Sequence, residues 1–171
     1  MFRSSEGDLI TLLNVWEGWR STLAQSGSNR AALKEWCRQR YVSLRALRKA
    51  QDIRDQPARF YRGTLRHPLG EGGTAENGNQ GVPVELIGRA LSKGFFLHAA
   101  FRQPDGRTFQ TLENRTEVSI HPSSMLASRP PRCVIFMELV RTTRTYMRGC
   151  MCAEPDWLTE EAHPLITKHL P

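Results

Sequence analysis

The side chains best equipped for chemistry lie in two short stretches, Ile120-His121-Pro122-Ser123-Ser124 and Arg141-Thr142-Thr143-Arg144-Thr145-Tyr146-Met147-Arg148. An imidazole beside two hydroxyls offers donors and acceptors for a phosphate or a base edge. The same turn also suits serines that only satisfy local backbone groups. Ser124 is read in that way, His121 and Ser123 as ligand contacts. Thr142, Thr143 and Arg144 bring hydroxyls and positive charge to a tight reversal. Tyr146 and Arg148 lie two positions apart, so they share one face of a strand. An aromatic ring and a guanidinium on one face suit a single nucleic-acid strand, where stacking contributes about 1–3 kcal/mol per base. The competing reading packs Tyr146 inside and pairs Arg148 with Glu138. No catalytic set accompanies these residues: the chain has no Gly-x-Ser-x-Gly and no Gly-x-x-x-x-Gly-Lys-Ser/Thr. Cys150-x-Cys152, with Cys133 and His98 elsewhere, lacks the CxxC pairs of a zinc site. Cys37 falls on an apolar helical stripe and not in a reactive setting.

The elements that must position these groups follow from periodicity. Val118 and Ile120 alternate with Ser119 and His121, the period of a half-buried strand. Cys133–Val140 is almost continuously apolar, as for a strand covered on both faces. Past the Arg141–Arg144 reversal, Tyr146, Arg148, Cys150 and Cys152 fall on one face and Met147, Gly149 and Met151 on the other. Phe95–Gln103 and Arg107–Leu112 form a hairpin around Pro104-Asp105-Gly106. These segments predict a five-stranded Greek-key barrel of the OB type, which touches nucleic acid at its turns and strand ends. Ahead of it, Asp8 is expected to cap a helix over residues 8–24, with Leu9, Leu12, Leu13, Trp16, Trp19 and Leu23 at helical spacing. A second helix is expected over 29–55. Its buried stripe is Leu33, Trp36, Cys37, Tyr41, Leu44 and Leu47, and Pro57 ends it. Residues 63–81 form a Gly- and Asn-rich loop without a phosphate-binding motif. A helix over 83–93 closes with Gly94 at C′, and a short helix spans 155–162. The fold class is α+β: a helical segment over 1–62, a flexible loop over 63–81 and an OB-fold domain over 82–171 with leading and trailing helices.

Charge is unevenly placed along the 171 residues. Residues 1–68 hold 13 Lys/Arg against 6 Asp/Glu, and residues 69–171 hold 11 of each, so the whole net charge of +7 belongs to the helical part. The second helix carries Arg30, Lys34, Arg38, Arg40, Arg45, Arg48, Lys49 and Arg54 against Glu35, Asp52 and Asp55. Such a face meets a polyanion, docks on an acidic neighbouring domain, or is simply solvated. Arg38, Arg45 and Arg48 are its candidate nucleic-acid contacts. Mean hydropathy is −0.48, and no apolar run approaches the ~20 residues of a membrane span. No secretory core follows Met1-Phe2-Arg3-Ser4, so reduced thiols and an intracellular location, nucleus or cytoplasm, are expected.

Five ordered blocks resemble the DEAH-box RNA helicases. Gly7-Asp8-Leu9-Ile10-Thr11-Leu12-Leu13-Asn14-Val15-Trp16 is similar to that family's Gly-Asp-x-x-Thr-Leu-Leu-Asn-x-aromatic segment. Trp36-Cys37, Leu44-Arg45 and Ile53-Arg54 resemble its Trp-Cys…Leu…Ile/Val-Arg helix. Ile120-His121-Pro122-Ser123-Ser124 resembles its His-Pro-Ser-Ser/Thr turn. Phe136-Met137-Glu138-Leu139-Val140 with Thr142-Thr143-Arg144-Thr145-Tyr146-Met147-Arg148 resembles its paired strand element, and Pro155-Asp156-Trp157-Leu158 its Pro-x-Trp-Leu close. The likeness spans nearly the whole chain outside residues 63–81. It implies the end of a helicase-associated (ratchet) domain followed by an OB-fold, lying after two RecA-like motor domains. It further implies single-stranded RNA as ligand, the motor domains in cis as partners, a G-patch adaptor protein as a possible further partner, and ATP with Mg²⁺ in the motor. The chain has no Asp-Glu-Ala-His and no ATPase motif, so it is expected to have no catalytic or cofactor-binding residue of its own and to be a C-terminal piece of a longer protein or a truncated gene model. Arg144 stands where the family has lysine, turning a point charge into a planar fork. Phe136 stands where it has tyrosine, without the hydroxyl.

Overall fold

A computed structural model describes residues 2–27, 29–64 and 82–159. They divide into two compact units, one drawn from Met1–Asn14 with Val82–Pro171 and the other from Val15–Gly81.

The first unit is a barrel. Its strands are β1 (Ala99–Arg102), β2 (Phe109–Thr111), β3 (Glu117–Ile120), β4 (Cys133–Ile135), β5 (Glu138–Arg141), β6 (Thr145–Arg148) and β7 (Met151–Cys152), paired in the order β5-β6-β3-β2-β1-β4-β7. β4 and β5 are successive halves of one chain run, as are β6 and β7. Because β4 pairs with β1 while β6 pairs with β3, the ladder returns on itself and the barrel closes. The expected fourth and fifth strands are therefore each divided, giving seven. The divisions face each other. Gly149 has φ +63°, and a Cβ there would stand 3.0 Å from Met137. The Met137 N–H still reaches the Arg148 carbonyl at 3.0 Å. This bulge resets the alternation: Met147 and Cys150, expected on opposite faces, both lie in the barrel interior with Phe109, Val118, Leu126, Val134 and Phe136. Closure matters energetically, since it leaves few unpaired ladder groups.

The β1–β2 turn works as its chemistry predicts. Asp105 accepts the backbone N–H groups of Arg107 and Thr108, each at 2.9 Å, and Gly106 takes φ +71°. These bonds hold its carboxyl below the usual range. β1 starts at Ala99, later than expected, because Phe96–His98 is a single 3₁₀ turn. Before it, α4 (Val84–Gly94) keeps Gly94 inside the helix and is capped by Phe95. α4 turns its small residues Gly88 and Ser92 inward, and a Cβ on Gly88 would meet Trp157 at 2.4 Å. Trp157 belongs to α5 (Pro155–Thr159) and packs, with Leu158, against a second cluster of Ala99, Leu112, Cys133, Ile135 and Ala153.

Residues 4–11 complete this unit. Gly7 bridges Met151, the Cys152 N–H donates to the Glu6 carbonyl at 2.9 Å, and the Asp8 N–H donates to the Cys150 carbonyl at 2.7 Å. Asp8 opens α1 (Asp8–Gln25) but does not cap it. Its carboxylate instead accepts the Met125 N–H at 2.7 Å and the Cys150 N–H at 2.9 Å.

In the second unit the expected single helix is two, α2 (Arg30–Gln39) and α3 (Leu44–Thr64). The Val42 N–H reaches back to the Cys37 carbonyl and the Tyr41 N–H to the Arg38 carbonyl, a Schellman stop with Tyr41 at C′ and φ +55°. Ser43 then caps α3, its hydroxyl accepting the Ala46 N–H at 3.2 Å. Tyr41, expected in the buried stripe, is 99% exposed. Among the described residues of this unit, the buried ones are Trp19, Leu33, Trp36, Cys37 and Leu47. Trp16 lies 5.0 Å from Trp19 with the Arg54 guanidinium over its ring. Pro57 does not end α3, which continues to Thr64. The bond it removes would have used the Ile53 carbonyl, on a residue that is 56% exposed, where water can replace the donor. The expected loop over 63–81, past Thr64, and the end of the expected 155–162 helix lie outside the described residues.

Desolvation pushes the barrel thiols up, Cys133 and Cys150 to about 12 and Cys152 to about 11, with Glu154, Asp8 and Glu6 adding to the rise at each in turn. A thiol whose folded value is raised contributes stability in full below its unfolded value near 9 and loses it as pH climbs toward the folded value. The urea midpoint should therefore fall between pH 9 and 11, and less steeply in a Cys133→Ala variant. Equal slopes in both proteins would contradict this.

Candidate nucleic-acid interface

The polar groups singled out above are positioned by the end of β3 and by the β5–β6 hairpin. The His121 N–H donates to the Met147 carbonyl at 3.0 Å, carrying the parallel β3–β6 ladder one residue beyond Ile120. Pro122 cannot continue it, so the chain turns, and the Ser124 N–H returns to the His121 carbonyl at 2.9 Å. The end of the turn is held by the Asp8 carboxylate on Met125.

This turn determines what His121 can offer. Its Nδ1 receives the Ser123 backbone N–H at 3.2 Å and lies 2.7 Å from the Ser123 hydroxyl. A backbone N–H can only donate, so this bond assigns Nδ1 as the acceptor and the outward donor to Nε2. The Tyr146 ring meets the imidazole edge-on, centroids 5.6 Å apart at 77°. Ser124 is buried, and its hydroxyl accepts the Leu126 N–H at 3.3 Å.

Arg148 closes β6 and faces Glu138 across the strand pair, Nη1 to Oε1 3.6 Å, with both side chains about half exposed. An ion pair this long and this wet contributes little, so the guanidinium can turn to a ligand at small cost. His121, Ser123, Ser124, Arg148 and Gly149 of the barrel, with Asp8, Thr11 and Leu12 of the first turns of α1, line a cavity of about 230 Å³. It presents an imidazole donor, a guanidinium and the apolar Leu12, itself 63% exposed. That is equipment for a flat, polar-edged group next to a negative charge.

The other expected contacts are not gathered there. Thr142 and Thr143 stand exposed at the hairpin tip, where the Thr142 N–H reaches the Arg144 carbonyl at 2.9 Å. Arg144 lines a second cavity of about 420 Å³ with Thr108, Glu117, Ser119 and Thr145. Arg38, Arg45 and Arg48 belong to the other unit. Arg38 is forked onto Glu35 at 2.8 and 2.7 Å, and the contact pulls the Glu35 carboxyl down to about 2. Arg45 and Arg48 are exposed, with no ion pair among the described residues. Sequence reasoning missed Asp8, Thr11, Leu12 and Gly149 as parts of the site. Their place depends on Gly7 bridging Met151, for which no local pattern exists.

Residues 87–165 match a family model described as an oligonucleotide/oligosaccharide-binding (OB)-fold. The chain is 33% identical over 161 residues to the pre-mRNA-splicing factor ATP-dependent RNA helicase prp22 of Schizosaccharomyces pombe, covering 94% of this chain and 12% of that protein. It is 37% identical over 167 residues to the pre-mRNA-splicing factor ATP-dependent RNA helicase DEAH10 of Arabidopsis thaliana, covering 94% and 22%. It is 34% identical over 169 residues to the ATP-dependent RNA helicase DHX33 of Homo sapiens, covering 99% and 21%. The chain thus spans between 12% and 22% of the length of these relatives.

Proposed function

The chain belongs to the DEAH-box RNA helicases, as a C-terminal, OB-fold-containing region of that family, and from that membership we propose that it holds single-stranded RNA for the motor. The observation that carries this reading is the cavity lined by His121, Ser123 and Arg148 on the closed barrel. In it, Nε2–H of His121 meets an acceptor on a base or phosphate, Tyr146 backs the imidazole, and Arg148 neutralises a phosphate. Thr142, Thr143 and Arg144 extend the path along the hairpin, and Arg45 and Arg48 add backbone contacts, while Arg38 is held by Glu35. ATP and Mg²⁺ act in the motor domains of the parent protein, which supply the work of remodelling. The names of two relatives, both splicing factors, favour pre-mRNA processing in the nucleus.

A second reading, docking of an adaptor of the G-patch kind or of the motor domains, is favoured by one observation. Val82, Leu86, Phe95 and Leu97, in and around α4, are 64%, 55%, 39% and 44% exposed, more apolar surface than a solvated helix needs.

The test is binding of the chain to labelled single-stranded RNA at two salt concentrations. Arg148→Ala should weaken binding about tenfold and lower the log–log salt slope by about 0.7, the signature of one lost phosphate contact. His121→Ala should weaken it about fivefold, as for one lost hydrogen bond, with the slope unchanged. Folded variants that bind like the parent chain would remove the site from the barrel and leave the docking reading.

A further inference from the structure

Tyr41 occupies a position the fold does not need an aromatic for. It sits at C′ of the stop between α2 and α3 with φ +55°, a left-handed conformation that glycine adopts freely and a side chain resists. Its ring is 99% exposed, so no packing offsets the backbone strain. An outlier of this kind points to use outside the fold.

Its surroundings indicate the kind of ligand. Residues 30–55 carry eight basic side chains against three acidic ones. Two of the cations closest to it in sequence are already committed: Arg38 to Glu35, and Arg40 to the face of Trp36 at 4.7 Å and to its carbonyl. Arg45 and Arg48 lie in the opening turns of α3, which begins at Leu44 just past Tyr41. Arg48 and Arg45 are exposed and have no ion pair among the described residues. A free ring with free guanidinium groups matches the alternation of flat base and charged phosphate in an unpaired strand. An acidic peptide would use the cations and leave the ring idle.

We propose that Tyr41 is a stacking contact for an unpaired base of single-stranded RNA, with Arg45 and Arg48 on the adjoining phosphates. This rests on the RNA-binding reading above and adds a contact in the second unit to it. The probe is an oligouridylate carrying one 2-aminopurine, whose fluorescence is quenched on stacking, titrated with the full chain and with Tyr41→Phe, Tyr41→Gly and Tyr41→Asn. Glycine and asparagine both tolerate the left-handed backbone, so their urea midpoints should not fall below that of the parent chain. Tyr41→Phe should bind and quench within twofold of the parent. Tyr41→Gly and Tyr41→Asn should lose about 5- to 100-fold in affinity with the salt slope unchanged, since stacking carries no counterion release. Arg45→Ala with Arg48→Ala should lower the slope by about 1.4 together. If all three Tyr41 variants bind and quench like the parent while Arg148→Ala does not, the proposal falls, the barrel site stands, and Tyr41 faces protein. No binding by the parent chain itself would overturn both.

Discussion

Gly7→Ala should cost the barrel about 2–6 kcal/mol. Two effects add. At φ +115° an L side chain is strained by about 1–3 kcal/mol. The new methyl would also stand 2.4 Å from the Cys150 carbonyl oxygen and 2.9 Å from the Met151 Cα. Those are backbone atoms of the last barrel strand, which cannot move aside as a side-chain tip can, and overpacking of that kind costs about 1–3 kcal/mol more. Urea denaturation would show the midpoint falling with its slope retained. A loss smaller than 1 kcal/mol would mean that residues 6–8 are not seated on β7 as described.

Asp8→Ala is the second large effect, about 2–4 kcal/mol. The carboxylate serves the Met125 and Cys150 N–H groups, whose hydrogen bonds are partly buried. Each donor left unsatisfied costs about 1–3 kcal/mol, and partial hydration reduces the total. Asp8→Asn keeps one acceptor and turns an amide N–H₂ toward the other donor, so about half the loss should remain. Stability alone would not separate this from any other damage. Amide exchange does: Met125 and Cys150 should lose protection selectively, while β1 and β2 keep theirs. Unchanged protection at both amides would sink the assignment. Because Met125 ends the turn that orients His121, the RNA-binding proposal expects affinity to fall along with it.

The barrel was largely legible because its signals are local. Alternation at Val118–His121, the Pro-Asp-Gly turn and the apolar Cys133–Val140 run each specify a strand or a reversal within a few residues. The family blocks placed them in order. What was not legible came from pairings distant in the chain. Gly149 reads as one more member of an alternating strand, and only its confrontation with Met137 makes it a bulge, so simple alternation places Met147 and Cys150 on opposite faces. Asp8 before an apolar helical stripe looks like a cap, since nothing near it announces Met125 or Cys150. Tyr41 fits the helical spacing of Leu33, Trp36 and Cys37, so its exposure was invisible. The stop there uses no glycine, the residue that normally marks one. The candidate cavity was half legible, His121, Ser123 and Arg148 from types and turns, the α1 side not at all.

The union of Glu6, Gly7 and Asp8 with Cys150–Cys152 bears on how the molecule is made. It joins positions 142 residues apart for the Asp8–Cys150 bond, with the whole of the second unit threaded between them in the chain. On a ribosome, the first unit must wait with its opening residues unpaired until its last strand has emerged, while the helical second unit is already free to form. The closure entropy of so long a loop grows only slowly with length, but contacts of this separation slow the search. Refolding should thus be biphasic, with the tryptophan cluster of the second unit fast and the seating of Asp8 last. A chaperone would meet a half-built barrel whose final edge is still open.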